Sequence, residues 1–212
     1  MIDAAKFWNG MAKQYSASPI ADMDSYEYTL GRTKSYLGAE DRVLELGAGT
    51  SSTALLIAPG VGHIHATDLA GEMIAIGEEK ARAEGVTNIS FARAGVFDDI
   101  SEGPFDAVLA FNLLHLIDDQ KGAIERAHAL LKPGGYFISK SVCKPGKGLP
   151  WKMKLMMLAL PLAQRLGKAP FVKFSEIAEL EAMITGTGFE IVETGNFPAQ
   201  PPSRYAVARK SV

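Results

Sequence analysis

The chain alternates short apolar runs with longer stretches of mixed character from Val43 to about Cys143. Each apolar run has the length of a buried β-strand, and each intervening stretch is long enough for a crossover helix. Because strands joined by such crossovers run parallel, the pattern predicts five parallel strands covered by helices on both faces.

The segment 1–40 has a different pattern and is predicted to form N-terminal helices. Phe7, Met11 and Tyr15 are four residues apart, which places them on one apolar face of a helix. A second helix is predicted from Asp24 to Leu37, and we expect the glycine that follows to end it.

Alternation of apolar and polar residues returns in the last part of the sequence. Phe189–Glu193 and Tyr205–Arg209 predict a closing pair of strands, and Ser175 is the predicted cap of the helix before them. The predicted fold is one α/β domain over residues 1–212. Its seven-stranded sheet is mostly parallel, has one antiparallel strand near the C-terminus and carries helices on both faces.

Composition limits the classes of function. A chain of 212 residues can bury one substantial core, and a net charge of -2 gives no reason to expect a nucleic-acid partner. Cys143 is the single cysteine, so no intramolecular disulfide and no zinc or other metal site is expected. The first residues lack the apolar core of a signal peptide, and the expected compartment is therefore the cytoplasm.

The segment 144–173 interrupts the alternation. From residue 126 to residue 175 there are ten Lys and Arg residues and no Asp or Glu. The apolar run 155–163 is too short to span a bilayer. Three interpretations stay open: a lid-like insertion over a substrate pocket, a peripheral membrane contact, and a contact with the core or another subunit.

The strongest local signal is the sequence Glu45-Leu46-Gly47-Ala48-Gly49-Thr50, which joins a short apolar strand to a predicted helix. Glycines at this turn let a ligand lie against bare backbone at the start of the helix. A side chain among residues 51–53 is predicted to cap that helix.

The flanking residues discriminate between nucleotide ligands. A nicotinamide fingerprint needs a third glycine where Ser52 stands. Glu45 would repel a pyrophosphate at the base of the loop, whereas a ligand with an ammonium and a sulfonium group would favour it. The motif resembles that of the class I S-adenosylmethionine-dependent methyltransferases, which have a Rossmann-like fold. The Leu-Lys-Pro-Gly-Gly sequence at 131–135 is also typical of that family.

The resemblance implies S-adenosyl-L-methionine as the cofactor. Asp68 ends the second strand and is expected to bind the ribose hydroxyls, with Leu69 beside the adenine. Capping of the helix that begins near Gly71 is the alternative role of Asp68, and the two roles are compatible. Asn112, at the end of the fourth strand, is expected to face the methionine part. The residues assigned to the cofactor are Glu45, Gly47, Ala48, Gly49, Ser51, Asp68, Leu69, Ala94, Gly95, Val96, Asn112 and Leu113.

The adenine end departs from the family pattern. Members usually carry an acidic residue near the position of Gly95, and this chain has none there. Backbone contacts from residues 94–96 are one alternative, and the carboxylate of Asp98 or Asp99 is another.

The methyl acceptor is expected to be a small, partly apolar molecule that enters beneath the 149–166 segment and the N-terminal helices. Tyr15, Trp151 and Met156 are the candidate acceptor-binding residues. His115 is the candidate catalytic base, because an imidazole can titrate near neutral pH; a purely structural role is the alternative.

Two other functions remain open at this point. The first is a regulatory protein that binds S-adenosylmethionine without catalysis. The second is a nicotinamide-dependent oxidoreductase. The sequence leaves the oligomeric state open as well.

Overall fold

The computed structural model describes residues 3–100, 102–145, 151–166 and 169–211, excluding the side chains at 151–154, 156 and 157. Its strands are β1 Arg42–Leu46, β2 His63–Asp68, β3 Ile89–Arg93, β4 Phe105–Phe111, β5 Leu131–Val142, β6 Phe189–Asn196 and β7 Ser203–Lys210. They form one seven-stranded sheet in the order β3-β2-β1-β4-β5-β7-β6.

Six strands run parallel, and β7 runs antiparallel to both of its neighbours, β5 and β6. The predicted sheet, including the antiparallel pairing at Tyr205–Arg209, is therefore confirmed. The first five strands were predictable because parallel strands buried on both faces must be almost wholly apolar.

The helices are α1 Ala4–Ala17, α2 Met23–Lys34, α3 Ser52–Ile57, α4 Gly71–Glu84, α5 Gln120–Leu130, α6 Trp151–Arg165 and α7 Ile177–Gly186. Apolar side chains cover both faces of the sheet. On one face Leu44 and Phe137 belong to a cluster that includes Ile124 of α5. On the other face Val43 and Leu109 belong to a cluster that includes Ile57 of α3.

Two predicted helix ends differ from the structure. Helix α2 ends at Lys34, three residues before the predicted end, because the chain turns through Ser35. Helix α7 is capped by Glu176, whose side chain accepts from the backbone of Glu179 in a reciprocal pair. The prediction that Ser175 caps this helix is wrong, since its hydroxyl instead donates to Gln120 Oε1 at 2.6 Å.

Helix α6 occupies the middle of the 144–173 segment. Its side chains Leu155, Leu158 and Leu162 are exposed, as is Leu166 just after its end. The spacing of these leucines places them along one side of the helix. Within the described ranges, no helix is both long enough and apolar enough to cross a membrane.

Candidate cofactor site

A cavity of about 560 Å³ lies at the carboxyl ends of the parallel strands, and we call it the main cavity. Gly47 and Gly49 reach it from the turn after β1, Asp68 from the end of β2 and Asn112 from the residue after β4. Open α/β sheets bind ligands at this edge, because the loops that leave neighbouring strands diverge there.

The glycine loop after β1 needs both of its glycines. Gly47 and Gly49 have φ values of 64° and 55°, which is the left-handed region that side chains disfavour. A Cβ on Gly47 would also lie 2.6 Å from Leu113 Cδ1. The backbone N–H of Gly49 donates to Asp68 Oδ2 at 2.9 Å, which fastens the loop to the end of β2.

Asp68 holds the start of α4 with its second oxygen. Its Oδ1 accepts from the backbone N–H of Ala70 at 2.8 Å. Burial raises the pKa of the Asp68 carboxyl, and these two hydrogen bonds oppose that shift. Each oxygen still has a lone pair for a ligand hydroxyl, so supporting the helix and binding a ligand are compatible roles.

Glu45 lies beneath the glycine loop and is not among the residues that line the main cavity. Its side chain is buried, and Oε2 has no hydrogen-bond partner among the described residues. Burial, followed by repulsion from Asp68, raises the pKa of Glu45 to about 8. A cationic group above the loop would lower this pKa and relieve the cost of burial. The ammonium of S-adenosylmethionine fits that requirement.

Two other loop residues also lie outside the main cavity. Ala48 lines a neighbouring cavity instead. Ser51 is at the cap position of α3 but makes no side-chain capping bond, and its hydroxyl is buried without a partner in the described chain. The prediction that a side chain caps α3 is therefore wrong for this residue, whose hydroxyl packs close to Gly77 of α4 instead.

Of the four residues predicted to contact the adenine, three line the main cavity. Leu69, Gly95 and Val96 line the main cavity, whereas Ala94 does not. Asp98 also lines it, and its Oδ2 accepts from the backbone N–H of Gly95 at 2.7 Å. Three residues after Gly95, Asp98 thus brings a carboxylate to this part of the main cavity.

Asn112 and Leu113 both line the main cavity, directly after β4. Asn112 has a φ of 53°, and its backbone N–H donates to the carbonyl of Lys140 on β5 at 2.7 Å. A left-handed asparagine at a strand end is an uncommon conformation that often marks a binding site.

His115 lines the main cavity from the short turn that follows. Its Nδ1 lies 3.2 Å from Ser141 Oγ, and its ring stacks on Phe174 with centroids 6.3 Å apart. Burial lowers the pKa of His115 to about 4. The ring is neutral at physiological pH, but it is a weak base, so it accepts a proton readily only from a group that is already acidic.

Helix α1 supplies a wall of the site. Tyr15 lines the main cavity and also a second cavity of about 410 Å³, and its ring packs edge-on against Trp8. Trp8 is not among the residues predicted from the sequence, because an aromatic residue on an amphipathic helix usually indicates core packing. The side chains of the other candidates, Trp151 and Met156, lie outside the described residues.

Other walls of the main cavity were missed for a similar reason. They are contributed by apolar side chains in loops, in helices and at the end of β4, where no motif distinguishes a binding surface from packing. These residues are Ala4, Met73, Phe97, Phe111, Leu116 and Ile117.

Comparison with known proteins shows that the chain is similar to methyltransferases. Residues 44–137 match the family model described as a methyltransferase domain. The chain is 30% identical over 138 residues to the methyltransferase AacuQ of Aspergillus aculeatus, which covers 65% of this chain and 43% of that protein. It is 29% identical over 146 residues to the ubiquinone/menaquinone biosynthesis C-methyltransferase UbiE of Coxiella burnetii, covering 64% and 56%. The chain spans about half the length of these curated relatives.

A solved structure shares the fold over nearly the whole chain. The N-methyltransferase NodS from Bradyrhizobium japonicum, crystallised with S-adenosyl-L-homocysteine, superposes with a TM-score of 0.70 at 16% identity. The match covers 98% of this chain and 99% of NodS.

Proposed function

We propose that the protein transfers a methyl group from S-adenosylmethionine to a small, partly apolar molecule, because residues 44–137 match a methyltransferase-domain model and the sequence motifs resemble those of the class I family. The match to a methyltransferase-domain model agrees with the resemblance seen in the sequence. One of the matched relatives is named for methylation in quinone biosynthesis, which is consistent with an acceptor of this kind.

The observation that carries the proposal is the buried Glu45 beneath the glycine loop. Its unpartnered oxygen and raised pKa favour a cationic ligand, whereas a dinucleotide would bring phosphate charges to the same place. In this assignment Gly47 and Gly49 pass beneath the methionine part, and Asp68 accepts from the ribose hydroxyls. Asp98 and the backbone at Gly95 hold the adenine.

The cofactor supplies a sulfonium methyl that is already activated for transfer. The chain then has to align the acceptor and exclude water. Trp8 and Tyr15 of α1 cover the main cavity from the solvent side in this assignment. His115 is a candidate proton acceptor, restricted by its low pKa to acceptors that lose a proton easily.

A ligand-binding experiment distinguishes the proposed methyltransferase from a nicotinamide-dependent oxidoreductase. Calorimetry is expected to show binding of S-adenosylhomocysteine and S-adenosylmethionine and no binding of NAD. Tight binding of NAD alone would contradict the proposal.

An assay for transfer of a labelled methyl group distinguishes the proposed methyltransferase from a regulatory protein that only binds the cofactor. Purified protein is incubated with methyl-labelled S-adenosylmethionine and a fractionated extract of small molecules. A labelled product, identified by mass spectrometry, is expected. Cofactor binding without any labelled product would favour the regulatory function.

A further inference from the structure

The second cavity adjoins the main cavity at two side chains. Tyr15 and Asn112 line both of them. The other walls come from the segment between α1 and α2, the start of α3, and the loop before β7. Its volume of about 410 Å³ is within the usual range for small-molecule sites. A molecule in the second cavity would therefore face the ligand of the main cavity across Asn112.

Two described residues bring a formal charge to this cavity, Asp22 and Lys140. The Asp22 carboxylate is already used at the start of α2, where it accepts from the backbone N–H of Ser25 at 3.0 Å. Hydrogen bonds from the side chain and the backbone of Ser25 lower the pKa of Asp22. Lys140 is thus the charged group whose hydrogens remain available to a ligand.

Lys140 is on β5, directly opposite Phe111 of β4 and next to the left-handed Asn112. Its Nζ lies 3.3 Å from Thr29 Oγ1, and it forms no ion pair within the described part of the chain. Burial lowers the pKa of Lys140 despite the opposing charge of Asp22. A partly buried ammonium with unused hydrogens has lost hydration, and an anionic ligand would offset the free-energy cost of that loss.

A small recess adjoins the second cavity at Lys140, and Leu30 and Phe111 form its apolar side. It measures about 40 Å³ and is lined by Tyr26, Thr53 and Asn112 as well as Lys140. The hydroxyls of Tyr26 and Thr53 lie 3.3 Å apart at its wall. The recess has room for one water molecule or one oxygen of a bound ligand.

Beside the hydroxyl residues Ser16, Ser18 and Ser52, the second cavity has rigid walls that favour a flat apolar body. The rings of Tyr15 and Tyr26 and the prolines Pro19, Pro198 and Pro201 contribute to them. Rigid side chains of this kind pack well against a planar ring and lose little conformational freedom on binding.

We propose that the second cavity is the acceptor site and that it binds a ring-sized, largely apolar molecule through an anionic oxygen held by Lys140. This inference rests on the proposed function. It requires no contribution from the 149–166 segment, since the described residues that line the second cavity all belong to other parts of the chain. It also reduces the need for a strong base, because the ammonium stabilises an acceptor oxygen that has already lost its proton.

The test compares two probes of the same shape, 2-naphthoate and 2-naphthamide. Wild-type protein saturated with S-adenosylhomocysteine is titrated with each by calorimetry. We expect the acid to bind at least about tenfold more tightly than the amide, because one charge-assisted hydrogen bond usually increases affinity by about that factor. Lys140→Met should abolish that preference, and Lys140→Arg should keep most of it.

Lys144→Met is the matched control. Lys144 follows β5, is exposed and pairs with Glu176 outside both cavities. Its substitution should leave both titrations unchanged. Thermal unfolding confirms that each variant is folded before the titrations are interpreted.

Three outcomes would overturn the inference: equal affinity of the wild-type protein for acid and amide, binding of neither, or an unchanged preference in Lys140→Met. Failure of the proposed function gives a different result, namely no binding of S-adenosylhomocysteine in the first step.

Discussion

The carboxyl of Glu45 is buried beneath the glycine loop with a pKa of about 8. In the unfolded chain it ionises near 4.5, so the unfolded state loses this proton at lower pH than the folded state does. The stability of the ligand-free protein is therefore expected to fall as pH rises from 4.5 towards 8. Glu45→Gln removes this penalty and should raise the free energy of unfolding near about pH 7.5 by up to about 4 kcal/mol.

Urea unfolding at about pH 5 and about pH 7.5 measures this change, with the exposed Glu190→Gln as control. Calorimetry on the same variant should show weaker S-adenosylmethionine binding and loss of the proton release that accompanies it in the wild-type protein. If Glu45→Gln bound the cofactor as tightly as wild type, Glu45 would have no electrostatic role.

The lowered pKa of His115 predicts a different pH dependence. Protonation of the folded state is disfavoured down to about pH 4, whereas an ordinary histidine ionises at 6.5. The contribution of His115 to stability is thus complete above pH 6.5 and falls as pH drops from 6.5 to 4.

For catalysis we expect His115→Gln to retain turnover within about tenfold, since a working general base contributes about a hundredfold or more. A larger loss, with a changed pH–rate profile, would assign it the role of base.

At the scale of secondary-structure elements, Asp68 connects the β1 turn to the start of α4 through its bonds to Gly49 and Ala70. Asp68→Ala should weaken S-adenosylhomocysteine binding at least about tenfold and increase amide exchange at Gly49. Asp106→Ala is a matched control, because that carboxylate also accepts a backbone N–H, from Arg42, at the opposite edge of the sheet. Unchanged affinity in Asp68→Ala would contradict its ribose role.

The elements show which features the sequence could and could not predict. The strands and the glycine loop follow from local patterns, and both were found. The cap of α7 was assigned one residue early, because Ser175 and Glu176 are both suitable caps and only the tertiary contact with Gln120 distinguishes them. Trp8 and Lys140 were missed as site residues, because their place in the cavities depends on helix packing and strand register rather than on any motif.

At the scale of the whole molecule, the leucine side of α6 has an exposed apolar surface within a segment rich in basic residues. We expect the protein to sediment with vesicles that contain phosphatidylglycerol, and to do so less at high salt. The double substitution Leu158→Ser and Leu162→Ser should abolish sedimentation, whereas Leu56→Ser on α3 should not. Normal sedimentation of the double variant would show that the leucine side of α6 does not contact the vesicle surface. Loss of methyl transfer with normal cofactor binding would favour a lid instead.

The position of β7 between β5 and β6 has a consequence for biosynthesis. The pairing edge of β5, Tyr136–Val142, is covered only by residues 203–210, which leave the ribosome after some sixty intervening residues. Until they emerge, β5 presents unpaired N–H and C=O groups to any extended chain nearby. A nascent polypeptide arrested in this interval would be prone to aggregation and a suitable client for a chaperone that shields strand edges.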